Sequence, residues 1–388
     1  MRHNPCTRPH GAHLGKDIGM TKPIKRIAIN TGGGDAPGLN AVIQAVTIAA
    51  ANRGWDCYGI RDGFNGILFP ERYSEGGVIR LTRERVRGIG HLGGTILGTT
   101  NKGNPLHFPV TMPDGSVREI DRSDEILAYF GTHEIDALVS IGGDGSLTIA
   151  NALHQKGLRV VGVPKTIDND LDKTYTTFGF DTAVGFATEC LDRLHSTAES
   201  HQRVMVVEVM GRYAGWIALH AGISGNAHAI LIPEIPFDLD HVAAKIRSRD
   251  AEGRLYSLVM VAEGAQPRDG QRELLASAEV GRAERLGGIG EHVAQALAER
   301  TGKETRVVVL GHLLRGGSPT TFDRLAALRF GAAAVRALDE GHSGVMVALG
   351  LTGVDYVALE EVAGHMRSVP MDSDTLQTGR DLGIAFGD

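Results

Sequence analysis

The sequence is poor in cysteine, in aromatic side chains and in long apolar runs. Its 388 residues include 3 cysteines, and aromatic residues make up 5%. Cys6, Cys57 and Cys190 are scattered, so they predict neither a disulfide framework nor a zinc site, and they fit a reducing compartment. No apolar run is long enough to span a bilayer, and the first residues lack the apolar core of a signal peptide. We therefore expect a cytoplasmic protein with no membrane partner.

The chain has no excess of positive charge, with 40 Lys and Arg against 46 Asp and Glu. The formal net charge is −6. A protein that binds nucleic acid usually carries a basic stripe, and this chain has none, so nucleic acid is not expected as a partner. Hydrophobic residues at 42% and charged residues at 22% are typical of a globular protein, and the length is sufficient for two domains.

Glycine, by contrast, is abundant, with 52 residues that fall mostly at the predicted ends of strands. Residues 25–30 predict a strand, 31–38 a glycine-rich turn, and 39–46 a helix with one apolar face. A second unit has a strand at 135–141, a Gly-Gly-Asp-Gly-Ser turn, and a helix at 147–155. Such units can aim backbone N–H groups at a phosphate, although a glycine turn can also serve only to make a tight bend.

A third unit carries charged side chains in the loop that follows its strand. Residues 159–163 predict a buried strand, and the loop after it contains Lys165, Thr166, Asp168 and Asp170. Ligands of open α/β sheets bind at the carboxyl ends of strands, where this loop would lie. One carboxylate could accept a proton from a sugar hydroxyl, the other could help to hold a metal, and the lysine could neutralise a phosphate. The alternative is an ordinary polar turn.

Strands that alternate with helices predict an α/β fold with a parallel, doubly wound sheet. We predict further strands at residues 204–209, 229–232, 258–262, 306–310 and 344–348. Asp181 is predicted to cap a helix, and residues 264–285 are predicted to be loop-rich or surface helical. Residues 1–22 are polar and aperiodic and predict a disordered tail, so it stays open whether residues 1–19 belong to the native protein.

Five motifs occur in an order that closely resembles the 6-phosphofructokinase family; they lie at residues 33–38, 142–146, 164–170, 210–212 and 311–319. The resemblance covers the chain from about residue 24 onwards. It implies two Rossmann-like, doubly wound lobes with the active site in the cleft between them. The implied donor (ATP)-binding lobe is residues 23–179 plus 314–365, and the implied sugar-phosphate-binding lobe is residues 180–313 plus 366–388.

The resemblance also implies a reaction, in which ATP with Mg²⁺ phosphorylates the 1-hydroxyl of fructose 6-phosphate in glycolysis. Asp168 matches the general base, and Asp144 matches the residue that positions the metal. The implied donor contacts are Gly34, Asn101, Lys102, Gly143, Asp144, Gly145 and Ser146. The implied sugar-phosphate contacts are Thr166, Ile167, Asp168, Met210, Gly211, Arg212, Glu263, His312 and Arg315, with Arg203 and Arg306 supplied by a neighbouring subunit. A homo-oligomer follows, either a dimer or a tetramer.

Two positions bear on the choice of donor. In this family, pyrophosphate users resemble one another in carrying an acidic residue where Gly145 stands and a lysine where Lys165 stands. The acidic side chain would occupy the space of the α-phosphate of ATP and repel its negative charge, whereas glycine leaves that space open. The pair resembles the mixed-donor branch in its ATP-using form. The alternatives are a pyrophosphate-dependent transferase and, more remotely, a non-catalytic sugar-phosphate sensor; a side activity on sedoheptulose 7-phosphate also stays open.

Overall fold

The computed structural model describes residues 23–268, 270, 274–276 and 285–388. The predicted tail at residues 1–22 and part of the predicted loop region at 264–285 lie outside the described residues. The described chain forms a seven-stranded, mainly parallel β-sheet and a four-stranded parallel one, both flanked by helices, together with two two-stranded antiparallel sheets, and this confirms the predicted α/β class. Within these ranges, none of the helices has the length and apolar character needed to cross a membrane.

The strands, in chain order, are β1 (Arg26–Thr31), β2 (Asp56–Ile60), β3 (Val78–Leu81), β4 (Phe108–Thr111), β5 (Val117–Ile120), β6 (Ala137–Gly142), β7 (Arg159–Pro164), β8 (Val204–Val209), β9 (Ala229–Leu231), β10 (Ser257–Ala262), β11 (Leu274–Ala276), β12 (Arg285–Leu286), β13 (Thr305–Val309), β14 (Val345–Leu349) and β15 (Val354–Ala358). The helices are α1 (Leu39–Asn52), α2 (Asn65–Leu68), α3 (Ser123–Thr132), α4 (Asp144–Gln155), α5 (Phe180–His201), α6 (Trp216–Ser224), α7 (Leu239–Ala251), α8 (Ile289–Thr301), α9 (Thr321–Asp339) and α10 (Asp374–Asp381).

The larger sheet has the strand order β15-β14-β7-β6-β1-β2-β3. Its five central strands pair in parallel, whereas β3 and β15 pair antiparallel at the two edges. The smaller sheet, β13-β8-β10-β9, is parallel throughout. Every residue of β6, β8 and β10 is buried, because helices cover both faces of each sheet, and this explains why their sequences are mostly apolar. The polar exceptions are Ser140, Glu208 and Ser257, which are buried as well.

The chain returns to the larger sheet late in its course. After β13 in the smaller sheet, α9 packs along α1 and against β7 and β14. The predicted apolar face of α1 (Leu39, Val42, Ile43 and Val46) is fully buried in this contact region, as expected. The larger sheet and its helices therefore contain two separate stretches of chain, whereas the division of the lobes by ligand stays a prediction.

The sequence-based strands are all present, with ends that differ by at most two residues. Three local predictions are wrong. Helix α4 begins at Asp144, not after the glycine turn, so the turn residues form its first turn. Helix α5 is preceded by Gly179 in the left-handed conformation, and Asp181 lies inside its first turn, where it accepts a hydrogen bond from the Thr320 hydroxyl at 2.6 Å.

The third correction concerns the region predicted to be loop-rich or surface helical. Within it, Leu274–Ala276 pairs antiparallel with Arg285–Leu286 as strands β11 and β12. Strand formation depends on a partner segment at the right distance, which local sequence pattern does not specify.

Close packing of α1 against α9 depends on a missing side chain. A Cβ on Gly331 of α9 would lie 2.8 Å from the Val42 carbonyl oxygen and 2.8 Å from the Ala45 Cβ of α1. We expect Gly331→Ala to lower the free energy of unfolding by about 1–3 kcal/mol, since overpacking outweighs the gain in helix propensity. The matched control is Gly185→Ala in α5, where a Cβ meets no atom within 4 Å. This variant should be more stable by about 0.5–1 kcal/mol. Thermal unfolding of both variants and of the parent protein measures these changes. Equal shifts in the unfolding temperature of the two variants would contradict the packing argument.

Candidate active site

Three loops meet at the carboxyl ends of the central strands of the larger sheet, because the strands that precede them are neighbours. Strands β7, β6 and β1 lie side by side and run in the same direction, so their carboxyl ends are adjacent. Backbone hydrogen bonds continue beyond the strands, from Gly32 N to Ile141 O at 2.9 Å and from Lys165 N to Gly142 O at 2.9 Å. All three glycine-rich or charged loops predicted from the sequence therefore border one space.

That space is a cleft of about 350 Å³. All seven predicted donor contacts line it: Gly34, Asn101, Lys102, Gly143, Asp144, Gly145 and Ser146. Lys165, Thr166, Asp168 and Arg315 line it as well. The remaining predicted contacts do not line this cleft: Ile167, Arg203, Met210, Gly211, Arg212, Glu263, Arg306 and His312.

The glycines of the cleft allow α4 to approach the turns after β1 and β6 closely. A Cβ on Gly32 would lie 2.5 Å from Ser146 Oγ, and one on Gly142 would lie 2.3 Å from Ser146 Cβ. Gly33 has a φ of +77°, which favours glycine, and its N–H donates to the Thr100 carbonyl at 3.0 Å. The first turn of α4 thus packs directly on the turn after β1, and its residues 143–146 line the cleft at the amino end of the helix, the end at which anions bind.

Gly145 has the opposite surroundings. A Cβ placed there would meet no atom within 4 Å, and its backbone is that of an ordinary helix residue in α4. An acidic side chain could be accommodated at this position without steric cost to the fold, and it would project into open space beside the cleft. The absence of a side chain at Gly145 therefore enlarges the donor region and keeps a negative charge out of it.

Lys165 is almost completely buried, with 3% exposure, and its ammonium donates a hydrogen bond to the Gly34 carbonyl. Burial, reinforced by the neighbouring Arg315 guanidinium, lowers the pKa of Lys165 to about 8. Arg315 in turn donates to the Asp35 carbonyl at 3.1 Å. Two cations thus lie over the glycine turn of β1, where a bound anion would offset their mutual repulsion.

Asp168 lies close enough to Asp170 to be repelled by its negative charge. Burial, followed by repulsion from Asp170, raises the pKa of Asp168 to about 7, and the attraction of Arg315 opposes this rise. Asp168 Oδ1 is buried and has no hydrogen-bond partner in the described part of the chain. A buried oxygen without a partner is costly unless a ligand group satisfies it, so Asp168 is suited to accept a proton from a bound hydroxyl.

Asp144 lies close enough to Asp170 for repulsion between them to help raise the pKa of Asp170, after burial and against a hydrogen bond from Thr166. Asp144 Oδ1 accepts a hydrogen bond from Gly364 N at 2.6 Å. The described residues contain no group of three or more His, Cys, Asp or Glu that could enclose a metal. Mg²⁺ typically uses one or two carboxylates and completes its shell with water and phosphate oxygens, so this pair of carboxylates fits Mg²⁺.

The predicted sugar-phosphate contacts on the smaller sheet follow the carboxyl ends of β8, β10 and β13. Arg212 lies close enough to Glu263 to oppose the rise in the pKa of Glu263 that burial causes. Gly211 has a φ of +145°, and a Cβ there would lie 2.8 Å from the Ala214 carbonyl oxygen. His312 is exposed on the short 3-10 helix Gly311–Arg315, which brings Arg315 into the cleft.

Arg203 and Arg306 lie at the other end of the smaller sheet. Arg203 immediately precedes β8, and Arg306 is the second residue of β13. Both pair with Glu304, Arg203 through its Nε at 2.7 Å. Because a six-residue strand spans roughly 20 Å, these side chains are separated from the cleft of their own chain by the length of the sheet.

The sequence analysis missed apolar residues of the cleft. Phe64 and Ile149 line it together with Gly63, which has a φ of +68°. Isolated apolar residues carry no local signal that distinguishes a ligand contact from a core position. The Asp62-Gly63 turn is the only local feature of the sequence here that could have indicated a tight bend near a site.

The fold and the cleft define a two-lobed α/β protein whose site lies at the carboxyl ends of parallel strands. A family model described as phosphofructokinase matches residues 26–338. The ATP-dependent 6-phosphofructokinase of Chloroflexus aurantiacus is 50% identical over 369 residues, which cover 95% of this chain and 99% of that protein. The chain therefore belongs to the phosphofructokinase family, as the motifs predict.

Two further similarities concern donor type and fold. The pyrophosphate–fructose 6-phosphate 1-phosphotransferase of Amycolatopsis mediterranei is 48% identical over 349 residues, which cover 89% of this chain and 97% of that protein. The solved structure of phosphofructokinase from Saccharomyces cerevisiae matches with a TM-score of 0.73 and 30% identity, over 87% of this chain and 45% of that chain. This chain thus spans about 45% of the length of the yeast chain.

The buried ammonium of Lys165 makes stability depend on pH. The folded pKa of about 8 lies below the unfolded value of about 10.4, so the unfolded chain binds more protons between these values. Stability from this residue therefore rises with pH across that interval. We expect Lys165→Met to be more stable than the parent protein by about 1–4 kcal/mol near pH 7, with a gain that shrinks towards about pH 10. Thermal unfolding across this pH range measures the gain.

The control for this prediction is Lys25→Met, because the Lys25 side chain is exposed. It should show the pH dependence of the parent protein. A gain for Lys165→Met that stays constant from pH 7 to pH 10 would show that the buried charge is not its origin.

Proposed function

We propose that this protein is an ATP-dependent 6-phosphofructokinase that transfers the terminal phosphoryl group of ATP to the 1-hydroxyl of fructose 6-phosphate. The observation that carries the proposal is the cleft in which Asp168, with its unpartnered buried oxygen, faces the glycine-rich turns of β1 and β6. The names of close relatives such as the Chloroflexus protein support the same reaction. The products are fructose 1,6-bisphosphate and ADP.

In the proposed mechanism, Asp168 acts as the general base. The oxygen of the 1-hydroxyl forms a bond to the γ-phosphorus, and the bond from that phosphorus to the β–γ bridging oxygen breaks, leaving its electron pair on ADP. The hydroxyl proton passes to Asp168, whose raised pKa of about 7 makes it a stronger base than an ordinary aspartate. Phosphoryl transfer requires positioning and charge neutralisation more than covalent chemistry, and Lys165 and Arg315 supply fixed positive charge beside the glycine turn.

Asp144 is the residue that we expect to hold Mg²⁺, with Asp170 nearby. When bound, the ion would neutralise charge that spreads over the phosphate oxygens. The repulsion between Asp144 and Asp170 supports this assignment, because a cation between the two carboxylates would relieve it.

For the sugar phosphate, we assign Thr166, Ile167, Met210, Gly211, Arg212, Glu263, His312 and Arg315 of one chain. Ile167 is fully buried, so it contributes through its backbone and by packing beneath the loop. In a homo-oligomer, Arg203 and Arg306 of one chain would contribute to the sugar-phosphate site of a neighbouring subunit. Their position at the amino ends of β8 and β13, away from their own cleft, supports a role in a second copy.

The proposal includes a cytoplasmic location. Cys57 is a free, buried thiol and Cys190 is also free, which fits a reducing compartment.

A second candidate function is transfer from pyrophosphate. The lysine at position 165 favours it, and so does the similarity to the Amycolatopsis enzyme. The open space at Gly145 favours ATP, because the α-phosphate needs room that an acidic side chain would remove. We therefore place ATP first.

Parallel assays with the two donors test the proposal. Fructose 1,6-bisphosphate formation is measured from fructose 6-phosphate and Mg²⁺ with either ATP or pyrophosphate, and we expect product with ATP only. The variant Gly145→Asp should lower kcat/KM for ATP between about 10-fold and 10³-fold, because like charges a few ångströms apart repel by up to about 4 kcal/mol. Product from pyrophosphate would favour the second candidate, and no product from either donor would favour a sensor.

Gly145→Ala is the matched control for the donor experiment. It adds a Cβ into open space without a charge, so kcat/KM for ATP should stay close to that of the parent protein. If the alanine and aspartate variants lose equal activity, then charge exclusion does not explain donor choice.

The role of Asp168 predicts a separation of kcat from KM. Asp168→Asn keeps the shape of the side chain but cannot accept the proton, so kcat should fall by about 10²–10⁴-fold. KM for fructose 6-phosphate should change little, because the amide still fills the same space. Steady-state kinetics with saturating ATP measures both constants, and a kcat near that of the parent protein would remove Asp168 as the base.

A further inference from the structure

One segment near the carboxyl terminus contacts residues of the candidate site on the larger sheet and residues that follow β8 of the smaller sheet. This crossing segment, residues 363–369, follows β15 and runs past the ends of the strands. Gly364 N donates to Asp144 Oδ1 at 2.6 Å, and Arg367 N donates to the Asp170 carbonyl at 2.7 Å. At its far end, Val369 N donates to Glu234 Oε1 at 2.8 Å, and the same carboxylate accepts from Gly215 N after β8.

The side chain of Arg367 is directed at the backbone of the loop that carries Asp168. Its Nη2 donates to the Asn169 carbonyl at 3.0 Å, and its Nη1 donates to the Thr174 carbonyl at 2.9 Å. The guanidinium also lies 5.1 Å from the ring centre of Trp216 at the start of α6. Trp216 Nε1 donates to the Arg367 carbonyl at 3.2 Å, so the same residue joins the loop to the smaller sheet.

The loop needs such support because it has little regular structure of its own. Asn169 and Lys173 have φ values of +52° and +62°, which side chains other than glycine adopt at a cost. The Thr177 hydroxyl donates to the Thr166 carbonyl at 2.7 Å and holds the near side of the loop. Arg367 holds the other side, through carbonyls at residues 169 and 174.

We propose that Arg367 is a positioning residue for the phosphoryl transfer: it does not line the cleft, and it fixes the Asp168 carboxylate by bonding the backbone on either side of the Asn169–Thr174 turn. This inference rests on the proposed function of the cleft. A general base acts only within hydrogen-bond reach of its proton, so a displacement of about 1 Å can cost about 10²-fold in rate. The contact with Trp216 links that placement to the lobe on which the predicted sugar-phosphate contacts lie.

A simpler explanation is that Arg367 only stabilises the fold, and a matched arginine separates the two cases. Arg249 in α7 is buried, whereas Arg367 is half-buried, and Arg249 also bonds backbone, through Nη2 to the Tyr256 carbonyl at 3.2 Å. Its guanidinium lies 5.9 Å from the Tyr256 ring centre. It is part of the smaller sheet's helical layer and does not line the cleft. Loss of either side chain should therefore weaken folding, but only loss of Arg367 should displace the base.

The experiment compares Arg367→Met with Arg249→Met, using the full chain with ATP, Mg²⁺ and fructose 6-phosphate. We expect kcat of Arg367→Met to fall by about 10²-fold, while KM for each substrate stays within about threefold of the parent value. Arg249→Met should keep the parent kcat, and both variants should unfold at lower temperature. A kcat of Arg367→Met equal to that of Arg249→Met would overturn the inference, and so would a loss that lies entirely in KM.

Arg367→Lys keeps the experiment decisive if Arg367→Met does not fold. Lysine retains the charge but lacks the planar fork that reaches two carbonyls, so its kcat should lie clearly below the parent value and above that of the methionine variant where both are measurable. A lysine variant with the parent kcat would overturn the role assigned to the fork. A parent protein without phosphotransferase activity would instead remove the proposed function itself, so the two failures are distinguishable.

Discussion

The parallel pairing of β7, β6 and β1 is the constraint on which the site depends. The hydrogen-bond register places Gly142 opposite Pro164 and Thr31 opposite Ile141, so three loops begin side by side at the carboxyl ends of these strands. Two of these loops are rich in glycine, and the third carries the charged residues. A slip of one residue in either pairing would reverse the faces of the strand and separate the loops. Burial of both faces makes that slip costly, and the same burial gives the strands their apolar sequences.

The cleft stores unfavourable electrostatics that a ligand would relieve. Burial lowers the pKa of Lys165 and raises the pKa values of Asp168 and Asp170. The charged form of each side chain is therefore less stable in the cleft than in water. A phosphate-bearing ligand would bring negative charge to the lysine, and a metal would bring positive charge to the carboxylates. The fold therefore sets the charges in place before the ligand arrives, as electrostatic catalysis requires.

The two lobes are joined at the site by short polar contacts. The crossing segment bonds Asp144 and the Asp168 loop on one side, and it bonds Trp216 and Glu234 on the other. At the other end of the Asp168 loop, Asp323 of α9 accepts hydrogen bonds from Thr182 of α5 through its backbone and its hydroxyl. Burial raises the pKa of Asp323 to about 6. Contacts with both sheets therefore meet at the loop that carries Asp168, the proposed base.

Local sequence pattern determined most of the elements and the chemistry of the loops. The apolar strands, the amphipathic face of α1 and the Gly-Gly-Asp turns could be predicted because each depends on residues that are neighbours in the chain. The family resemblance added the proposed role of Asp168 as general base. The start of α5 and the pairing of β11 with β12 differ from the prediction. Asp181 bonds Thr320, 139 positions away, instead of capping the helix, and strand pairing depends on a partner segment that the residues of one strand do not specify.

Only the tertiary structure decided which residues share the cleft and what supports them. Phe64 and Ile149 line it without any local signal, and Arg367 reaches the Asp168 loop across 198 positions of sequence. The sequence by itself determined which groups could bind phosphate, accept a proton or form a strand, since these are properties of side chains and of short-range periodicity. Distances, burial and shifted pKa values were decided by the packing of the two sheets, because each arises from groups that meet only after the chain has folded.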